Sequence, residues 1–206
     1  RVRLRKGGTQ VRLAAYGALV IVGVFATMVS INRSTAQYRR ITARDEAGFK
    51  AALDADFRYW RTHSAVAQLY ATQGRHMDSK THFQQVLDHR PFHLPSLNGL
   101  AVAKLALGSS SAESLKLLDE AVRIAPYYYK SYYNKGVILA QAKEWAAARA
   151  AFSESIRCHP GHANSYLYRG LVGVEQGDPE AARPDFRRAL ELDPKTLQDI
   201  PKEMRP

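Results

Sequence analysis

The sequence predicts an all-α protein: one N-terminal transmembrane helix followed by an α-solenoid of about four helix-turn-helix repeats. Three observations carry this. Pro91, Pro126, Pro160 and Pro194 are spaced by 35, 34 and 34 residues. Each proline closes a similar phrase, "FQQVLDHRP", "LDEAVRIAP", "FSESIRCHP" and "FRRALELDP". Far upstream, residues 13–31 form an uncharged run of 19 with basic residues on both sides.

The N-terminal flank, residues 1–12, is basic. Residues 1–44 hold Arg1, Arg3, Arg5, Lys6, Arg12, Arg33, Arg39, Arg40 and Arg44 and no acidic side chain, whereas the rest of the chain holds 21 of the 30 Lys and Arg and all 19 Asp and Glu. Of the net charge of +11, +9 therefore belongs to residues 1–44. A nearly neutral repeat region lacks the electrostatic footprint of a nucleic-acid binder, so no nucleic-acid partner is expected. The single cysteine, Cys158, rules out an internal disulfide framework.

As a helix, residues 13–31 would be about 28 Å long at 1.5 Å per residue, close to the hydrocarbon thickness of a bilayer. Gly17 and Gly23 are costly in a soluble helix but common in membrane spans. A buried core helix fits less well, and a cleaved leader lacks a cleavage site followed by an acid-containing start. Five basic residues precede the run and four follow it, which places the N-terminus on the cytoplasmic side and the repeats outside, in a periplasm if the source is Gram-negative.

Residues 32–59 read as a linker and capping helix. Within "TARDEAGFKAALDADF", Phe49 and Ala52 lie 34 positions before Phe83 and Val86, so the repeat register already runs here. Atypical terminal units are expected of stacked repeats.

The units fall at 60–93, 94–128, 129–162 and 163–196. Phe83, Leu118, Phe152 and Phe186 stand eight before the prolines; Val86, Ala121, Ser155 and Ala189 five before; Ser79, Ser114, Ala148 and Ala182 twelve before. These offsets give a small-large-small stripe on one helix face, which lets a second helix approach closely. The proline ends the helix, because it has no N–H and disfavours a helical residue before it. The preceding helix also recurs: Tyr132 aligns with Tyr166, Lys135 with Arg169 and Gly136 with Gly170. In the fourth unit Gly173 takes a normally bulky position and Pro184 falls inside the second helix, which predicts a bend or a later start. Residues 197–206 read as a short cap or frayed tail.

The period and these residues resemble the tetratricopeptide repeat family over about residues 60–194. The resemblance is loosest in the second unit, "LPSLNGLAVAKLALGSSS", which needs a one-residue slip. It implies a membrane-anchored interaction module, an adaptor, scaffold or accessory subunit of a membrane assembly, that takes a protein partner in a concave groove. It implies lining by Arg61, Ser64 and Gln68 from the first unit, Lys130, Tyr133, Asn134 and Val137 from the third, and Asn164, Leu167, Tyr168, Leu171 and Glu175 from the fourth. Some relatives clamp a carboxylate with lysine, arginine and asparagine. Lys130 and Asn134 fit part of that pattern, whereas Ser64, Gln68 and Tyr168 depart from it, which argues against a chaperone-binding role. A second resemblance, of "PFHLPSLNGLA" and "APYYYKSYYNKGVI" to repeat tails of O-antigen ligases and polysaccharide polymerases, implies a non-catalytic part of a longer polytopic enzyme.

Five tyrosines crowd residues 127–133. Tyr132 is expected in the core, Tyr127, Tyr128 and Tyr129 at the inter-unit turn, and Tyr133 in the groove with Tyr168. No catalytic constellation, cofactor or metal is expected. No phosphate loop, nucleophile elbow or HExxH appears. The pairs His89 and His93, and His159 and His162, lack further ligands at metal spacing and read as solvent-exposed turn residues.

Overall fold

A computed structural model describes residues 60–205, together with Ala47, Gly48, Ala51 and Leu53, which are helical. Among the described residues there are eight longer helices and no strand. They are α1 (Trp60–Thr72), α2 (His76–His89), α3 (Leu94–Ala106), α4 (Ser111–Ile124), α5 (Tyr129–Gln141), α6 (Trp145–Cys158), α7 (Ala163–Glu175) and α8 (Pro179–Leu192). Two 3-10 helices follow, Pro194–Asp199 and Lys202–Met204. The 13–31 run and most of the expected capping helix lie outside the described residues. Among those described, no helix is long and apolar enough to cross a membrane.

The chain divides into two compact units, Arg1–Val66 and Ala67–Pro206. In the first, Thr62, His63 and Ser64 are buried while Arg61 is exposed. The second holds the repeats.

Each even-numbered helix ends in the same way. Arg90, Ala125, His159 and Asp193 sit just before the four prolines at φ between −139° and −146°, and each donates its N–H to the carbonyl four residues back. That extended backbone is what a following proline imposes. Within each pair the turn needs one residue at positive φ. Gly74, Gly108 and Gly177 supply it at +74°, +83° and +82°, whereas the third pair uses Lys143 at 58°. Two helices start on side-chain caps: Ser110 accepts from the Glu113 N–H, and Asp178 from the Ala181 N–H. With that cap in place, α8 starts at Pro179 and runs through Pro184 to Leu192, so the proline does not delay its start.

The stripe on the even helices is the core. Phe83, Leu118, Phe152 and Phe186 are no more than 2% exposed, and Val86, Ala121, Ser155 and Ala189 are sealed entirely. Gly136 and Gly170 explain their recurrence. A Cβ at either would lie 2.7 Å from the ring of Phe152 or Phe186, so the odd helix meets that ring with bare backbone. Burying such a phenylalanine stabilises each pair by roughly 2–3 kcal/mol.

A second ladder lies at the third residue of α3, α5 and α7. Ser96, Ser131 and Ser165 are fully buried, and Thr196 holds the matching place after α8. Ser165 shares a 2.7 Å hydrogen bond with Ser155, which also donates to the Tyr129 carbonyl. These small hydroxyls permit close packing between units while keeping their own polar atoms satisfied. The C-terminal segment closes the stack: Ile200 and Met204 are buried with Leu167, Phe186 and Ala189.

Tyr132 departs from its expected core position. Ser131 takes the buried place beside it, and Tyr132 is only partly covered. Tyr166, its counterpart, is likewise only half-buried, packed at the edge of the Phe186 cluster.

Candidate functional site

The odd helices of the second unit form an inner layer, with α3 touching α5 and α5 touching α7. A groove of about 460 Å³ opens along this layer. Its lining from α3 reaches from Pro95 through Asn98, Gly99 and Val102 to Ala103, about 12 Å of helix. Gln68, Ala71, Thr72 and His76 form one side; Tyr128, Lys130, Tyr133, Asn134 and His162 form the other.

Asn98 is the polar centre. It is 5% exposed, and its amide donates to the Leu94 carbonyl at 3.0 Å and to the Ser131 hydroxyl at 2.9 Å. Its oxygen accepts from the Asn134 amide at 2.9 Å. Asn98 is thus held from three sides, and it holds Asn134 in turn. Pre-organised amides of this kind can receive the backbone of an extended chain without first losing rotamer freedom.

One end of the groove is aromatic. The Tyr133 ring lies 5.0 Å from His162 and 5.7 Å from Tyr168, both nearly edge-on, and 6.0 Å from Phe152. Burial pushes the Tyr133 phenol well above its usual range, and the neighbouring Tyr168 hydroxyl adds to this. Tyr129 meets His159 at 4.6 Å and His162 at 4.8 Å. The His162 Nδ1 shares a 2.8 Å hydrogen bond with the Ser165 hydroxyl, as His93 does with Ser96 at 2.9 Å. Burial lowers the pKa of both imidazoles, helped by His159 and Lys130 at His162 and by Arg90 at His93. His93 and His162 are therefore half-buried packing groups, not the solvent-exposed residues expected from sequence; at His162 the covering groups are the Tyr129 and Tyr133 rings. Among the described residues, no three His, Cys, Asp or Glu gather to hold a metal ion.

The expected lining residues divide. Gln68, Lys130, Tyr133 and Asn134 come together in the groove. Tyr168 stacks behind it on Phe152, 5.8 Å away. Val137 packs against the Phe152 cluster and Leu171 against the Phe186 cluster. Asn164 and Glu175 are exposed and do not line the groove. Leu167 is a correction: at 3% exposure it is core, because the C-terminal segment covers it. Ser64 is a second correction, buried at 7% where an open lining residue was expected; Arg61 is exposed.

Sequence reading missed Asn98. It is the fifth residue of α3, as Tyr133 is of α5 and Leu167 of α7. The one-residue slip in the second unit hid this alignment.

Antiparallel helix pairs recurring every 34 or 35 residues around one stripe define a helical-repeat protein. The tetratricopeptide repeat model matches residues 65–129, 110–163 and 133–196, more than half of the chain, and the chain belongs to that family. Several solved structures share the fold. MamA from Desulfovibrio magneticus RS-1 is 18% identical with a TM-score of 0.66, over 82% of this chain and 96% of that one. TTC0263 from Thermus thermophilus is 18% identical with a TM-score of 0.67, over 74% and 83%. YrrB, described as a TPR protein with an unusual peptide-binding site, is 19% identical with a TM-score of 0.54, over 72% and 76%. No curated protein matches the chain in sequence.

Proposed function

We propose that this protein is a non-catalytic interaction module whose groove receives an extended segment of a protein partner. The observation that carries this is the fixed Asn98–Asn134 amide pair at the centre of an open groove with apolar walls. At about 3.3 Å per extended residue, the 12 Å of lining on α3 accommodates three to four residues. Val102, Gly99 and Tyr133 supply apolar contact, and the amides supply hydrogen bonds to the segment's backbone. The peptide-binding site named for YrrB supports the same reading by likeness of fold.

We further propose that residues 13–31 anchor the module in a membrane with the repeats on the non-cytoplasmic face, where it serves as adaptor or accessory subunit of a membrane assembly. The length of the uncharged run and its basic flanks support this.

The test is a screen of random peptides against the detergent-solubilised full chain. Asn134→Ala is expected to weaken the selected peptides about fivefold, the worth of roughly one hydrogen bond, with the melting temperature shifted by only a few degrees. Peptides that bind the variant as tightly as the parent would refute the assignment of the groove.

A further inference from the structure

We propose that the turns joining one unit to the next dock on an anionic lipid bilayer, with Phe92 and Tyr127 entering the headgroup layer and Arg123 and Lys130 meeting lipid phosphates. This deepens the anchored reading and rests on it for proximity, since residues 13–31 would tether the repeats beside a bilayer.

Phe92 and Tyr127 each follow the proline that ends a unit, and they are 64% and 79% exposed. One exposed apolar side chain says little, because folded surfaces hold many. Two at the same place in consecutive units say more. The rings beside Tyr127 are taken up in packing: Tyr128 lies 6.3 Å from Tyr129, and Tyr129 lies against His159 and His162. Tyr127 stands outward from that cluster. Successive turns also adjoin. The Cys158 thiol donates to the Pro126 carbonyl at 3.7 Å, and Tyr128 lines one groove with Pro95.

Charge indicates what covers these rings. The three turns, residues 89–93, 123–130 and 157–162, hold Arg90, Arg123, Lys130 and Arg157 and no aspartate or glutamate. Arg157 is matched by Glu154 at 2.7 Å, whereas Arg123 and Lys130 are exposed and make no ion pair among the described residues. The helix macrodipole accounts for a cation at the end of α4, but for neither ring, nor for Lys130 in the first turn of α5. The turns within each pair, at the other ends of the helices, have no such surplus. Residues 73–78, 107–110, 142–145 and 176–178 hold Arg75 and Lys143 against Asp78, Glu144 and Asp178. Met77 is exposed there without a cationic surround, because Arg75 is paired to Asp78 at 2.7 Å. Rings interleaved with cations suit a membrane interface, where the rings rest at headgroup depth and arginine and lysine pair with phosphate. Arg33, Arg39, Arg40 and Arg44, between the proposed anchor and the repeats, carry the same sign and seek the same surface.

Two tryptophan reporters test this on the full chain reconstituted into vesicles whose phosphatidylcholine carries brominated acyl chains, which quench indoles at short range only. Phe92→Trp reports on the docking edge. Met77→Trp reports from the far end of α2, about 20 Å away. Each is read as emission added to that of Trp60 and Trp145. In vesicles about one-third phosphatidylglycerol, bromine should quench the Phe92→Trp signal at least about twofold more than the Met77→Trp signal. Pure phosphatidylcholine, salt near 0.5 M, or Arg123→Glu should each shrink that difference. Equal quenching of the two reporters would overturn the docking edge, and the anchor would still stand if the parent stays on the vesicles in about 1 M salt. A difference undiminished in pure phosphatidylcholine would overturn the choice of anionic lipid. A blue shift of Phe92→Trp that grows with protein concentration and ignores bromine would overturn the proposal in favour of a second copy covering the rings. A parent released by salt, with Phe92→Trp quenched before release, would sustain the edge and sink the anchor.

Discussion

Single residues in this protein often serve packing and surface at once, and His162 and His93 show what that means for stability. Each imidazole is half-buried beside a cation or a second imidazole, so the folded state holds its pKa below the ordinary value near 6.5. The unfolded chain then binds protons more readily than the folded one. Stability from these sites is complete above the unfolded value and is lost as pH falls through the lower folded values. The melting temperature should therefore drop on acidification from about pH 7.5 to about pH 5, and the double variant His93→Gln, His162→Gln should flatten that drop. A parent whose melting temperature stays level over this window would contradict it. Tyr133 teaches the complementary point. It lines the groove although Tyr132, the expected core neighbour from which that position was read, is only partly covered, and no spacing rule shows that three rings pack around it. Its truncation would cost packing as well as contact, which makes Asn134 the better probe of binding. Asn98 was illegible for another reason: a buried amide is held in place by partners 33 and 36 residues away, and those emerge only once the helices are aligned.

At the scale of the element, local rules made most of the fold legible. The four prolines, the small-large-small stripe and the paired glycines are short-range requirements of helices that end sharply and approach closely, so they repeat wherever the requirement does. The turn within each pair shows the same rule with one exception. Three turns place glycine at positive φ, and the third places Lys143 there, at 58°. A side chain in that left-handed region costs roughly 1 kcal/mol, part of which glycine gives back through its freer unfolded state. Lys143→Gly should thus stabilise the protein by about 0.5 kcal/mol, seen as a rise of a few degrees in melting temperature. The reverse change, Gly108→Lys, should lower it by a similar or larger margin. If Lys143→Gly is neutral while Gly108→Lys is costly, local hydrogen bonding rather than backbone strain governs that turn. Pro184 falls inside the second helix of the fourth unit, as its spacing indicates, but does not shift the start of that helix. Early in α8, with Asp178 capping the start, its missing N–H does not displace the helix.

For the whole molecule the decisive asymmetry is electrostatic. Nine basic residues and no acid precede residue 45, while the rest of the chain is close to neutral. Two physical routes to a membrane follow from that tail. Basic residues alone would hold an anionic surface through attraction that salt screens, since the Debye length shrinks from about 10 Å at 0.1 M to about 3 Å at 1 M. An inserted run at 13–31 would hold through the burial of apolar side chains, which salt does not weaken. The two are separable on the full chain bound to vesicles containing anionic lipid. With residues 13–31 anchoring, the protein stays with the vesicles in about 1 M salt and at alkaline pH and leaves only with detergent. Charged substitutions at Val20 and Val24, near the middle of the run, should then release it, because each places an ion at depth at a cost of about 3 kcal/mol. Release of the parent by salt alone would show that the tail adheres without inserting. The repeats would then be a peripheral module.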